Sequence, residues 1–138
     1  MAGLDTNVLV RHLTQDDLPQ ALLAEELFAT AAAHNEKLFV PATVALELEW
    51  VLRSRYRLDK PAVLRTFAAL LETRELEFED ESALENALHL YREHAADFAE
   101  CMHVGACFSR GHVPLMTFDV NAARLPHARK VGAVSGHR

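Results

Sequence analysis

The chain predicts an α/β fold, a parallel sheet with helices on both faces. Short apolar runs alternate with longer helix-periodic stretches in the order strand, helices, strand, helices, strand, helices, strand. The 138 residues suit one domain with a proper core. No internal repeat, low-complexity tract or linker divides them, so residues 1–138 are expected to form a single domain, with 135–138 a loose tail.

The first strand is the apolar lead Ala2-Gly3-Leu4, a buried strand that delivers Asp5 to its C-terminal end. A helix-periodic run, Val8-Leu9-Val10-Arg11-His12-Leu13, follows and ends near Thr14. Asp17 caps the next helix, with Pro19 near its first position. Over 20–34 that helix is rich in Ala, Leu and Glu, and Leu23, Leu27 and Ala31 share a face. Leu38-Phe39-Val40 is a short buried strand closed by Pro41. Thr43 caps or begins a helix to about Tyr56. Asp59 caps a helix over 58–73 opened by Lys60-Pro61, with Leu64, Phe67, Leu70 and Leu71 as its apolar stripe.

Residues 74–79 alternate charge and apolar side chains, the period-2 mark of an edge strand with one wet face. A helix over 82–94 turns Leu84, Ala87, Leu88 and Tyr91 inward. Asp97 opens another to about Arg110, and Gly111-His112 breaks it. Val113-Pro114-Leu115-Met116-Thr117 is the next strand and leads into Phe118-Asp119. A short helix over 120–124 follows, and 130–134 is expected to be a last edge strand.

Hydrophobic residues make up 50% of the chain and charged residues 25%, the balance of a soluble globular protein. The longest apolar-looking run, 38–46, is too short to span a bilayer, and the N-terminus lacks a signal peptide's basic start. A cytoplasmic protein without membrane contact is expected. Cys101 and Cys107 fall on one helix pointing in different directions, which argues against a disulfide or a zinc site.

The net charge of −6 argues against a strong non-specific grip on nucleic acid. The charge is uneven. Residues 72–100 hold ten acids against Arg74 and Arg92, whereas 53–65 hold Arg53, Arg55, Arg57, Lys60 and Arg65 against Asp59. The last fifteen residues carry Arg124, Arg129, Lys130 and Arg138 and no acid. Such basic edges can hold a phosphate backbone while an acidic centre holds metal; the alternative is solvated surface.

Acids recur at strand ends. Asp5 ends the first strand and Asp119 the strand at 115–117, so a parallel sheet brings both out at one edge, where ligands bind in open α/β sheets. Asp97 and Glu100 open the helix that returns to that strand from the same edge. Glu47 lies between apolar neighbours without a local cation, whereas Glu49 has Arg53 four residues on, an ordinary exposed pair. Each acid has a plainer reading. Asp5 and Asp119 also suit helix caps, Asp97 and Glu100 a capping box, and Glu47 a hydrogen bond to a neighbouring helix. Converged carboxylates without His or Cys select Mg²⁺ or Mn²⁺ and, with it, phosphodiester hydrolysis.

Four motifs, taken together, resemble those of PIN-domain ribonucleases, and more narrowly the toxin of a VapBC-type toxin–antitoxin pair. They are Gly3-Leu4-Asp5-Thr6-Asn7-Val8-Leu9-Val10-Arg11, the stretch from Val44 to Tyr56 around Glu47, Ala96-Asp97-Phe98-Ala99-Glu100, and Leu115-Met116-Thr117-Phe118-Asp119. The resemblance covers nearly the whole chain. It implies a three-layer fold on a five-stranded parallel sheet of order 3-2-1-4-5 and metal-dependent endoribonuclease activity. Carried over by position, Asp5, Glu47, Glu100 and Asp119 form the acidic pocket. Asp5, Glu100 and Asp119 hold Mg²⁺ or Mn²⁺, with Asp97 an alternative ligand. Thr6, Asn7 and Thr117 support them by hydrogen bonds. One position departs: Glu100 stands where the family usually has Asp, and its longer arm moves the carboxylate by about 1.5 Å. The resemblance further implies a homodimer, and a VapB-like antitoxin whose C-terminal segment wraps the toxin; the helices at 20–34 and 42–56 offer it a groove.

Three rivals differ in class. A phosphohydrolase with an Asp nucleophile needs a second acid two residues on, where this chain has Asn7. A phospho-acceptor receiver domain needs paired acids near the first strand, but Asp16-Asp17 lie past a helix. A catalytically silent PIN scaffold that binds RNA or protein is kept open by Glu100. His89 and His94 sit off one helical face, and none of the eight histidines is assigned to chemistry.

Overall fold

The computed structural model describes residues 1–133. Those residues form two compact units, divided between Glu79 and Asp80. The expected strand at 130–134 lies partly, and the tail at 135–138 wholly, outside the described residues.

The first unit runs β1 (Ala2–Gly3), α1 (Thr6–Leu13), α2 (Leu18–Ala33), β2 (Leu38–Val40), α3 (Ala42–Ser54), α4 (Lys60–Leu71), β3 (Leu76–Phe78). Its strands pair in parallel in the order β1-β2-β3. Leu9, Val10, Val40, Leu48, Val63 and Phe67 are buried between sheet and helices. Each such side chain stabilises the fold by about 1.5–3 kcal/mol relative to exposure. β1 corrects one expectation: its two residues are exposed, and Leu4, just after it, is the buried one. A two-residue strand has too few side chains to bury a face, so the apolar lead anchors through Leu4, whose N–H donates to the Phe39 carbonyl at 2.8 Å.

α2 corrects another. The face that packs is Ala21, Ala24, Phe28 and Ala31, whereas Leu22 and Leu23 are 64% and 66% exposed. The apolar residues of α2 are spread around the helix among Gln20, Glu25, Glu26 and Thr30, so periodicity alone did not select its buried side. α3 is capped without a side chain, at Pro41, and Thr43 sits in its first turn, the second of the two places expected for it. The Ala42 N–H donates instead to the Glu79 carboxylate at 2.9 Å.

The second unit runs α5 (Glu81–Glu93), α6 (Phe98–Ser109), β4 (Leu115–Thr117), α7 (Val120–Ala123), β5 (Ala128–Lys130). α5 and α6 form a tight antiparallel hairpin around Leu84, Ala87, Tyr91, Phe98, Cys101 and Val104. The Tyr91 and Phe98 rings meet edge to face, 5.4 Å between centroids. Gly105 permits the approach: a Cβ there would lie 2.5 Å from the Ala83 carbonyl oxygen. β4 and β5 pair in parallel, two residues earlier than the strand expected at 130–134.

The α/β class with parallel strands is thus as expected, but the strands form one sheet of three and one of two among the described residues. Strands of two and three residues offer few backbone groups for further ladders. Neither Cys101 nor Cys107 is in a disulfide among the described residues. Among the described residues no helix is long and apolar enough to cross a membrane.

Candidate active site

In the first unit the acid-bearing loop is built by α1. Asp5 is its N-cap, in extended conformation, and accepts from the Thr6 N–H at 2.7 Å. Thr6 is 3% exposed, and its hydroxyl donates to Oε1 of Glu47 at 2.5 Å. Thr6 therefore joins the start of α1 to the middle of α3 and fixes the Glu47 carboxylate near Asp5. Asn7 makes no side-chain hydrogen bond among the described residues, so the supporting role expected of it is not seen here.

The two glutamates of α3 are reversed from expectation. Glu49 is the buried one, with Arg53 Nε donating to its Oε2 at 2.8 Å, while Glu47 is exposed. Helical geometry gives the reason. Ala45, Leu48 and Leu52 face the core, and residue 49 lies on their stripe. A charge on that stripe needs a partner, which the salt bridge supplies.

In the second unit Asp97 caps α6 and accepts from the Glu100 N–H at 2.9 Å. Asp119 caps α7 and accepts from the Ala122 N–H at 2.8 Å, and its own N–H donates to the Thr117 hydroxyl at 3.0 Å. Thr117 thus holds the loop that carries Asp119. Oε2 of Glu100 is buried without a hydrogen-bond partner among the described residues. Burial first, then the neighbouring carboxylates of Asp97 and Asp119, push the Glu100 carboxyl up to about 7. A proton on Glu100 turns it from a repelled anion into a donor toward those neighbours. Asp119 is held below the usual carboxylate range, chiefly by the Ala122 N–H.

The plainer reading of these acids is therefore correct as far as it goes: Asp5, Asp97 and Asp119 are caps. Each cap engages one carboxylate oxygen and leaves the second for another contact. What sets the second unit apart is three acids crowded around an orphaned oxygen. Among the described residues no three His, Cys, Asp or Glu side chains surround one point ready to take a metal. The donor set nonetheless fits a hard divalent cation that keeps several of its own waters: all oxygen, mutually repelling, with one buried oxygen unpaired.

The first unit also carries two clefts that share Asn7 and Arg11. One, of about 350 Å³, is apolar and runs between α1 and α2 along Val8, Leu23, Ala24 and Leu27. The other, of about 280 Å³, is polar and lies at the C-terminal ends of α1 and α3. Sequence reasoning grouped Arg55 with a basic run but missed Arg11 and Tyr56. No local pattern links residues so far apart.

The alternation of parallel strands and helices, and acids capping helices just past strand ends, define the class. A profile of the PIN domain matches residues 3–128, and the chain belongs to the PIN-domain family. It is similar to a VapC ribonuclease of Aquifex aeolicus (strain VF5), 26% identical over 102 residues, 74% of this chain and 75% of that protein.

Proposed function

We propose that this protein is a divalent-metal-dependent endoribonuclease, acting in the cytoplasm as the toxin of a VapBC-type pair. The observation that carries the reading is Glu100, a buried, unpaired carboxylate oxygen crowded by Asp97 and Asp119 in a chain of the PIN-domain family. Three carboxylates crowded this closely repel one another unless a proton or a cation lies among them, and a divalent cation suits the all-oxygen donor set.

Asp5, Glu47, Glu100 and Asp119 are the acids of the reaction in this reading, with Asp97 an alternative to Glu100. Their support is the order of the four motifs along a family member, together with the local geometry of each cluster. The family match runs across the boundary at 79 and 80, which favours the whole chain working as one PIN domain. When bound, Mg²⁺ or Mn²⁺ polarises the attacking water and neutralises charge developing on the phosphodiester. Thr6 keeps Glu47 oriented, and Thr117 keeps the Asp119 loop in place. Glu100 gives up its proton when a cation replaces it.

A VapB-like antitoxin is the partner in this reading. Leu18, Leu22, Leu23 and Leu27 leave an apolar face on α2, beside the apolar cleft against α1. An amphipathic segment suits such a groove. A homodimer is proposed on the same grounds of resemblance.

The test is cleavage of RNA by purified, antitoxin-free protein in Mg²⁺, in Mn²⁺ and in EDTA. Cleavage in either metal and none in EDTA is expected. Equal cleavage in EDTA would overturn the metal dependence; no cleavage in any metal, with the fold intact and no cation bound, favours a silent scaffold instead.

A further inference from the structure

We propose that the polar cleft at the C-terminal ends of α1 and α3 holds the phosphate backbone of single-stranded RNA, gripped by Arg11 and Arg55 beside the Tyr56 ring. The inference rests on the nuclease reading and adds to it a substrate-holding site outside the acids.

Five polar residues line the cleft: Asn7, Arg11, Asp16, Arg55 and Tyr56. The sequence brings them from two helix ends. Arg11 is in the last turn of α1, and Arg55 is the C-cap of α3, with Tyr56 next. Cations are favoured at helix C-termini whatever their use, so placement alone does not make a site. The hydrogen bonds say more. Asp16 is anchored by other groups, accepting from the Tyr56 hydroxyl at 2.7 Å and the Thr14 hydroxyl at 2.8 Å. These two bonds hold its carboxyl below the usual range. Arg11 reaches Asp16 only at 3.5 Å, and its short bond goes to the neutral Gln20 at 2.7 Å. Its guanidinium is therefore weakly neutralised. The Arg55 backbone N–H donates to the Val51 carbonyl at 2.9 Å, but its guanidinium has no hydrogen bond or ion pair among the described residues, in a chain whose net charge is −6.

Two underused guanidinium groups in one cleft suit an anion with several oxygens, and Arg matches phosphate bidentately. Tyr56 is tethered by its hydroxyl, so its ring has a fixed orientation against which a base can stack. Position favours RNA over an acidic protein segment. Asn7 lines the cleft and stands two residues from Asp5. From Asn7 to Arg11 is one turn of α1, about 6 Å of rise. A strand whose scissile phosphate lies by Asp5 and which follows α1 runs into this cleft. An apolar partner segment has the neighbouring cleft along Leu23 and Leu27, which shares Asn7 and Arg11 with this one but not Arg55 or Tyr56.

The experiment is fluorescence anisotropy of a short, unstructured RNA of mixed sequence, titrated with full-length protein carrying Asp5→Asn, across a range of salt. Arg55→Ala is expected to weaken binding by about threefold to tenfold and to flatten the log–log salt slope by about 0.7. Asp16→Asn keeps the hydroxyl contacts but removes a competing anion, and is expected to tighten binding by about twofold. A misfolded variant does not bind more tightly, so that arm separates the site from a folding defect. Arg92→Ala, which removes an arginine paired with Glu93, serves as the control. The proposal is overturned if Arg55→Ala leaves affinity and slope unchanged, or if Arg92→Ala weakens binding as much. It is also overturned, in favour of a protein site, if Arg55→Ala spares RNA and weakens only capture of an acidic antitoxin. If the unsubstituted protein neither binds nor cleaves any RNA, the nuclease reading fails and takes this one with it. If that protein cleaves RNA and Arg55 is silent, only the cleft fails.

Discussion

The Thr6 hydroxyl donates to Oε1 of Glu47 at 2.5 Å, across 41 residues of sequence. Thr6 is buried, so its hydroxyl cannot exchange this bond freely for water, whereas Glu47 is exposed. Thr6→Val keeps the shape and deletes the donor. It is expected to cost about 1 kcal/mol in urea unfolding and to lower RNA cleavage by about tenfold, because Glu47 loses its orientation. Thr6→Ser, which keeps the hydroxyl, is expected to retain most of both. Full stability and cleavage in the Val variant, with losses only in Ser, would show that the methyl group, not the bond, matters.

Glu100 is expected to trade stability for function. At about pH 8 without divalent cation, Glu100→Gln removes an ionised carboxylate crowded by Asp97 and Asp119, and is expected to stabilise the fold by about 1 kcal/mol. The same variant is expected to lose cleavage and any stabilisation by Mn²⁺. Glu100→Asp, one carbon–carbon bond shorter, is expected to keep both. A destabilised Glu100→Gln variant would mean that the carboxylate has a structural partner.

His12 stacks on Phe28, rings 4.0 Å apart and within 1° of parallel. Burial lowers its pKa below 6.5, and Glu75 and Glu25 only partly oppose that. The folded state then binds fewer protons here than the unfolded one as pH falls through 6.5, so this group's contribution to stability is lost toward acid. Unfolding in urea at about pH 7.5 and 5.5 is expected to show a smaller acid loss in His12→Gln than in wild type. An unchanged or larger loss would mean that the carboxylates win over burial.

Gly105 marks the closest approach of α6 to α5. Gly105→Ala improves helix propensity by about 1 kcal/mol yet forces backbone apart, at a cost of about 1–3 kcal/mol. A net loss of stability is expected from thermal unfolding, and a gain would show that the hairpin yields easily.

How much was legible follows from which residues speak locally. Asp17, Asp59 and Asp97 announced helices because an Asp before a helix-periodic run, often with Pro next, has one strong meaning. That clarity hid the site. Six of the seven helices among the described residues carry an Asp cap, so capping does not separate Asp5, Asp97 and Asp119 from Asp17, Asp59 and Asp80. The order of motifs did separate them. Glu47 and Glu49 were assigned opposite burial because a helix apolar on more than one side fixes no direction until its neighbours are placed. Leu23 and Leu27 on α2, expected to share a face with Ala31, are exposed for the same reason. The polar cleft was invisible, since Arg11 and Tyr56 are 45 residues apart and meet only in the fold.

The most direct test of the account compares RNA cleavage by Asp5→Asn, Glu47→Gln, Glu100→Gln and Asp119→Asn with that by Asp17→Asn and Asp59→Asn, in Mg²⁺ and Mn²⁺. The second pair are helix caps with the same chemistry and no assigned role. The account predicts that each of the first four loses at least about a hundredfold in rate, while the two controls stay within about twofold. Losses that track cap strength across the four caps Asp5, Asp17, Asp59 and Asp119, or no loss in the first four variants, would contradict the claim that these acids carry a metal-dependent nuclease reaction.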